Sequence, residues 1–96
     1  AVATTRMARA LLQLPQRWRG LLTKPGRSSL LLRLADSLVA MPVVTIPQAQ
    51  EMLGITYRSA QLNVERLVEA RVLREIPAAH PRTFFAPEVL QILAQR

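Results

Sequence analysis

Apolar residues recur at helical spacing along the first part of the chain. Met7, Leu11, Leu14, Trp18 and Leu21 step by four, three, four and three, one stripe along a helix. Arg6, Arg9, Gln13, Gln16, Arg17 and Thr23 fall off that stripe. Pro15 interrupts it, because its ring meets the carbonyl four residues back and disfavours α geometry at Leu14. A kinked helix, or two short ones meeting there, is expected. Lys24-Pro25-Gly26 then breaks the chain.

The remaining pattern predicts a compact series of short elements. Ser28 or Ser29 can cap a helix whose inner face carries Leu31, Leu34, Leu38 and Met41, with Pro42 ending it. Val43-Val44-Thr45 is a β-branched run that predicts a short strand. Another helix opens near Pro47, since a first turn tolerates proline, and turns Ala49, Met52 and Leu53 inward. Gly54 suits the left-handed position behind that helix, and Ile55 the apolar contact that goes with it. Thr56 caps the next helix, 56–70, whose inner face is Ala60, Val64, Leu67 and Val68.

Two helices joined by a Gly-Ile-Thr turn have the layout of a helix-turn-helix. Val72–Ile76 and Arg82–Ala86 predict a hairpin around the proline-edged segment 77–82, a wing, and Pro87 opens a last helix. The expected fold class is mainly α with a small β-hairpin wing (α+β), a winged helix-turn-helix. Its expected core is Leu31, Leu34, Leu38, Leu53, Ala60, Val64, Leu67, Val72 and Phe84.

Composition narrows the chemistry. The chain has 96 residues, 50% of them hydrophobic, enough for one small core and not two. It holds no cysteine, which excludes disulfides, thiolate metal sites and cysteine nucleophiles and fits a reducing compartment. His80 is its one histidine, so no imidazole cluster can bind a metal and no histidine stands ready beside a nucleophile. No phosphate-cradling glycine loop is present, and no cofactor is expected. The carboxylates Asp36, Glu51, Glu65, Glu69, Glu75 and Glu88 read as solvated, so the chain is not expected to be an enzyme. No uncharged apolar run approaches the roughly 20 residues of a membrane span, and Met7–Leu14 is too short for a signal peptide. A cytoplasmic protein without a membrane partner is expected, and a first residue other than Met suggests a fragment.

The formal charge of +7 invites a nucleic-acid reading. Its distribution is uneven: residues 1–41 hold seven Lys or Arg and one acid, whereas residues 42–96 hold six Arg and five Glu. Any binding by the second part must therefore rest on where its charges stand.

Several stretches carry a family likeness. Pro42-Val43-Val44-Thr45-Ile46, Glu51-Met52-Leu53-Gly54-Ile55-Thr56, Ser59-Ala60, Glu65-Arg66-Leu67-Val68-Glu69 and Val72-Leu73-Arg74-Glu75 together resemble the winged helix-turn-helix that follows the catalytic domain in many bacterial Fic-family proteins. Arg82-Thr83-Phe84-Phe85-Ala86-Pro87-Glu88-Val89-Leu90 is similar to the last strand and helix of those modules. The likeness covers 28–94 well and 1–27 loosely. It implies that residues 28–96 are the winged-helix domain, that 1–27 are a helical linker or tail of an upstream domain, and that the AMP-transferring Fic domain lies outside this chain. The family's catalytic motif is absent, since His80-Pro81 is followed by Arg82-Thr83 rather than by phenylalanine and a glycine loop. Two positions depart from the pattern. Arg71 stands where such modules commonly carry glycine, so an altered exit from the third helix is expected. Leu62 stands where a polar or basic residue is usual.

Two functions of different class follow. As a DNA-binding module of transcription regulation, serving the autoregulation or positioning of a Fic-type enzyme, the chain would place Tyr57, Arg58, Ser59 and Gln61 against bases or phosphates, with Arg58 suited to guanine, Gln61 to adenine and Arg82 to a phosphate. Glu65 and Glu69 would repel that phosphate. As a protein-interaction or homodimerisation module, it would use Leu62, Trp18 and Leu11 instead. The amphipathic segment 7–22 could dimerise, serve as a basic phosphate-binding arm, or pack its Met, Leu and Trp stripe on its own or the upstream domain; packing is the simplest of these. His80 reads as a loop residue facing solvent.

Overall fold

The computed structural model describes residues 2–22 and 29–94. The Lys24-Pro25-Gly26 break and a cap by Ser28 lie outside them. The elements are α1 (Val2–Leu22), α2 (Ser29–Ser37), β1 (Val43–Thr45), α3 (Ile46–Leu53), α4 (Tyr57–Glu69), β2 (Arg74–Glu75), β3 (Thr83–Phe85) and α5 (Pro87–Ala94). The described residues form an α+β fold of five helices and one small three-stranded antiparallel sheet. The order of elements after α1 is the predicted one.

The sheet runs β1-β3-β2, so the chain's last strand is its centre. Phe84 of β3 pairs with Val44 on one side and with Glu75 on the other. Directly paired residues share a face, which places Val44, Phe84 and Glu75 on the core side and Val43, Phe85 and Arg74 on the other. Val44 and Phe84 are accordingly buried, while Val43 and Arg74 are exposed. Every residue of the expected core is buried.

Helix α1 belongs to that same core. Leu14, Trp18 and Leu22, at i, i+4 and i+8, enter one cluster with Leu31, Leu34, Val89 and the α4 residues, and Leu11 packs against it. The expected stripe was off by one position at its end, because Leu22 is buried and Leu21 exposed. Helix spacing permits either i+3 or i+4, and the packing against α2 and α5 selects the latter. Pro15 does not split the helix, although it leaves the Leu11 carbonyl without its usual donor. Charged contacts fasten α1 on both sides. Arg17 pairs with Glu88 of α5 at 2.9 Å, and Arg19 with Asp36 of α2 at 2.6 Å. The Trp18 indole N–H donates to the same Glu88 carboxylate at 3.3 Å. Asp36, Glu75 and Glu88 are thus ion-pair partners rather than free solvated acids.

Helix α2 stops at Ser37, earlier than Pro42 requires. The Ser37 hydroxyl donates to the Leu34 carbonyl at 2.6 Å, and the Leu38 N–H bonds the Ala35 carbonyl at 3.1 Å, a tightened last turn. Leu38 still reaches the core from that turn. No helix among the described residues is long and apolar enough to cross a membrane.

Candidate nucleic-acid interface

Three local devices aim α4. Thr45 ends β1 and caps α3 through a reciprocal box: its hydroxyl accepts from the Gln48 N–H at 3.3 Å, and the Gln48 side chain accepts from the Thr45 N–H at 2.9 Å. The Thr-x-x-Gln spacing announces this box in the sequence. Gly54 then takes φ 65 and ψ 40, the left-handed turn that separates α3 from α4. Thr56 caps α4 by accepting from the Ser59 N–H at 3.1 Å. Helices α3 and α4 pack closely on each other, as the Gly-Ile-Thr turn predicts.

The inner face of α4 is Ala60, Asn63, Val64 and Leu67. Asn63 is its buried polar member, and its side-chain N–H donates to the Ser59 carbonyl at 2.8 Å. The outer face presents Tyr57, Arg58, Leu62 and Glu69 to solvent, with Ser59, Gln61, Glu65 and Arg66 half-buried beside them. Arg58 donates to the Gln61 side chain at 3.5 Å, a long and exposed contact. Tyr57, Arg58, Ser59, Gln61 and Leu62 therefore gather on the first two turns of one helix.

Arg82 is placed differently from the sequence expectation. Its Nε and Nη2 donate to the two Glu75 carboxylate oxygens at 2.8 and 3.1 Å. Its guanidinium carbon lies 5.4 Å from the centroid of the Phe84 ring. The side chain expected to meet a phosphate thus holds a carboxylate from its own hairpin. The Arg82 bonds keep the Glu75 carboxyl below its ordinary value of 4.5. The same bonds raise the Arg82 guanidinium, opposed by desolvation and reinforced through space by Glu75, Glu65 and Tyr57. The guanidinium is thus paired with Glu75 and feels the more distant Glu65 carboxylate of α4 through space. His80 is exposed at the loop tip.

Two further expectations need correction. Trp18 is 1% exposed and so offers no surface to a partner, while Leu11 is half-buried against the core; their stripe faces this domain's own α2 and α5. Arg71 does adopt a positive φ, 65°. Helix α4 ends as the glycine pattern would have it, with the Arg71 N–H bonding the Val68 carbonyl at 3.0 Å and the Val72 N–H the Leu67 carbonyl at 2.9 Å. Buried Val72 and Leu67 supply the apolar contact that accompanies this ending, and it outweighs the backbone strain.

Other sites offer less chemistry. An open groove of about 500 Å³ lies between the turn after α2 and α3, lined by Ser37, Ala40, Met41, Gln48, Glu51 and Met52. No group of three or more His, Cys, Asp or Glu among the described residues could hold a metal ion. No protein-family model matches the chain, and no curated protein matches it in sequence.

Proposed function

We propose that the chain is a winged helix-turn-helix module that binds DNA, laying the first two turns of α4 in the major groove with the hairpin beside it. The observation that supports this is the outer face of α4. Arg58 and Gln61, which suit guanine and adenine edges, stand side by side at the helix start that the Thr56 cap holds, with Arg58 exposed and Gln61 half-buried. The sequence resemblance extends the reading to a regulatory role beside a Fic-type catalytic domain, in the cytoplasm, with no chemistry performed by this chain itself. The test is a salt titration of the full chain on random duplex by fluorescence anisotropy. Measurable affinity that falls with salt, together with a loss of about 1–3 kcal/mol and relaxed preference on Arg58→Ala, is the expected result. No affinity at low salt overturns it.

A second reading rests on a separate observation. Tyr57 and Leu62 are 49% and 39% exposed on the same helix that carries Glu65 and Glu69. Leu62, exposed among the mixed charges of Arg58, Glu65, Arg66 and Glu69, suits a protein partner, including a second copy of the chain. Under that reading Leu62→Glu abolishes partner binding, and random duplex is not bound at any salt.

A further inference from the structure

The three described ion pairs do not do the same work. Arg17–Glu88 and Arg19–Asp36 join α1 to its neighbours and so hold separate elements together. Arg82–Glu75 joins two strands that the β2–β3 ladder already pairs, with the Ile76 N–H bonding the Thr83 carbonyl at 2.8 Å next to it. The backbone ladder, and not this third contact alone, holds those two strands together.

Its geometry is nevertheless specific. Arg82 precedes Phe84 by two residues and shares its face, as Glu75 does across the ladder. The two side chains therefore meet over the Phe84 ring as a two-pronged pair, with 43% of one and 41% of the other still open to solvent. A carboxylate presents the same two oxygens to a guanidinium fork as a phosphodiester does. The pair carries no net charge, and Glu65 adds a carboxylate to the field at Arg82. By contrast, Arg58 has only the neutral Gln61 as its described partner.

We propose that Glu75 is an internal competitor for phosphate at the wing, an autoinhibitory contact that occupies Arg82 until a nucleic-acid backbone displaces the carboxylate. This rests on the DNA reading above and assigns its regulation to one residue. Arg58 then sets the basal affinity, and Arg82 contributes only to the extent that Glu75 lets go.

The test uses the full chain and a fluorescein-labelled random 20-bp duplex, with anisotropy measured from low to physiological salt. Glu75→Gln is expected to bind about two- to fivefold tighter at low salt, the equivalent of one exposed ion pair, with a salt slope steeper by about one. Glu51→Gln, an exposed carboxylate on α3, controls for bulk charge. Arg82→Ala is expected to weaken binding more in the Glu75→Gln background than in the wild type, which simple addition of charges does not produce. Circular dichroism melts establish that each variant is folded. Wild-type binding with no gain in Glu75→Gln, a gain matched by Glu51→Gln, or equal Arg82→Ala effects in both backgrounds overturns the competitor and leaves the DNA reading standing. Absence of binding by every variant at the lowest salt overturns both.

Discussion

Two positive-φ positions bracket α4 and carry opposite residues. Gly54 precedes it at φ 65, and Arg71 follows it at φ 65. A side chain in this region costs roughly 1–2 kcal/mol against its carbonyl, whereas glycine loosens the unfolded chain by about 0.4–1 kcal/mol. The difference predicts that Arg71→Gly stabilises the protein by about 0.5–1 kcal/mol. The Arg71 side chain is exposed and makes no described contact among the described residues, so its removal takes nothing away. Gly54→Ala should destabilise by about the same amount. A Cβ there meets nothing within 4 Å, which leaves backbone conformation as the sole cause. The ends of a 13-residue helix lie about 20 Å apart, so the double variant should return close to the wild type. Thermal unfolding followed by far-ultraviolet circular dichroism reads the effect as shifts of about 2–8 °C in opposite directions. Arg71→Gly that lowers Tm at unchanged cooperativity refutes the reasoning, because the strain at the α4 exit would then be absent or repaid by the arginine.

Leu67→Ala, in a fully buried position, should lose about 2–5 kcal/mol in urea titration. Trp18 is the single tryptophan and is 1% exposed, so its emission should be blue-shifted and resist acrylamide; free quenching in the native protein would show that α1 is not docked. Glu88→Gln should raise that quenching by loosening the Arg17 and Trp18 contacts while leaving the rest of the fold cooperative. The Glu75 carboxyl titrates below its ordinary value of 4.5, so its pair with Arg82 stabilises the fold above that value and ceases to as pH falls through the lowered folded value. Glu75→Gln should therefore flatten the acid limb of the stability curve, and an unchanged limb contradicts the pairing.

The core was legible because periodicity is a property of sequence alone. Leu31, Leu34, Leu53, Ala60, Val64 and Leu67 repeat at helical spacing, and each is buried. Val43-Val44-Thr45, Gly54 and Thr56 announce the strand, the turn and the cap by residue type, as the Thr45-x-x-Gln48 spacing does the capping box. What failed depended on partners. Leu21 and Leu22 are equivalent to a stripe argument until α2 and α5 choose between them. The outward direction of Arg58, Gln61 and Leu62 follows from the α4 period, but the state of Arg82 does not. Its partner stands seven residues back across a loop, and only the β2–β3 register brings Glu75 onto the same face.

Net charge illustrates the same point and yields a last prediction. The formal +7 already nets out the pairs that hold Arg17, Arg19 and Arg82 against Glu88, Asp36 and Glu75, so what a polyanion meets depends on where the remaining charges stand. On α4 itself, Arg58, Leu62, Glu65 and Glu69 stand at i, i+4, i+7 and i+11, one stripe in which a cation at the start is followed by two acids. A phosphate backbone following that stripe meets attraction at the first turn and repulsion two turns later. Glu65→Gln with Glu69→Gln should thus tighten duplex binding by about 0.4–2 kcal/mol, twice the range of one exposed charge contact. Because these carboxylates repel without releasing counterions, the gain should shrink as salt rises and the screening length falls from about 10 Å at 0.1 M to about 3 Å at 1 M. Leu62→Ala is the neutral comparison on the same stripe and should leave duplex affinity nearly unchanged while weakening any protein partner. A gain that survives high salt would mean that the carboxylates act through the fold rather than through phosphate, and no gain at low salt would confine DNA contact to the first turn of α4.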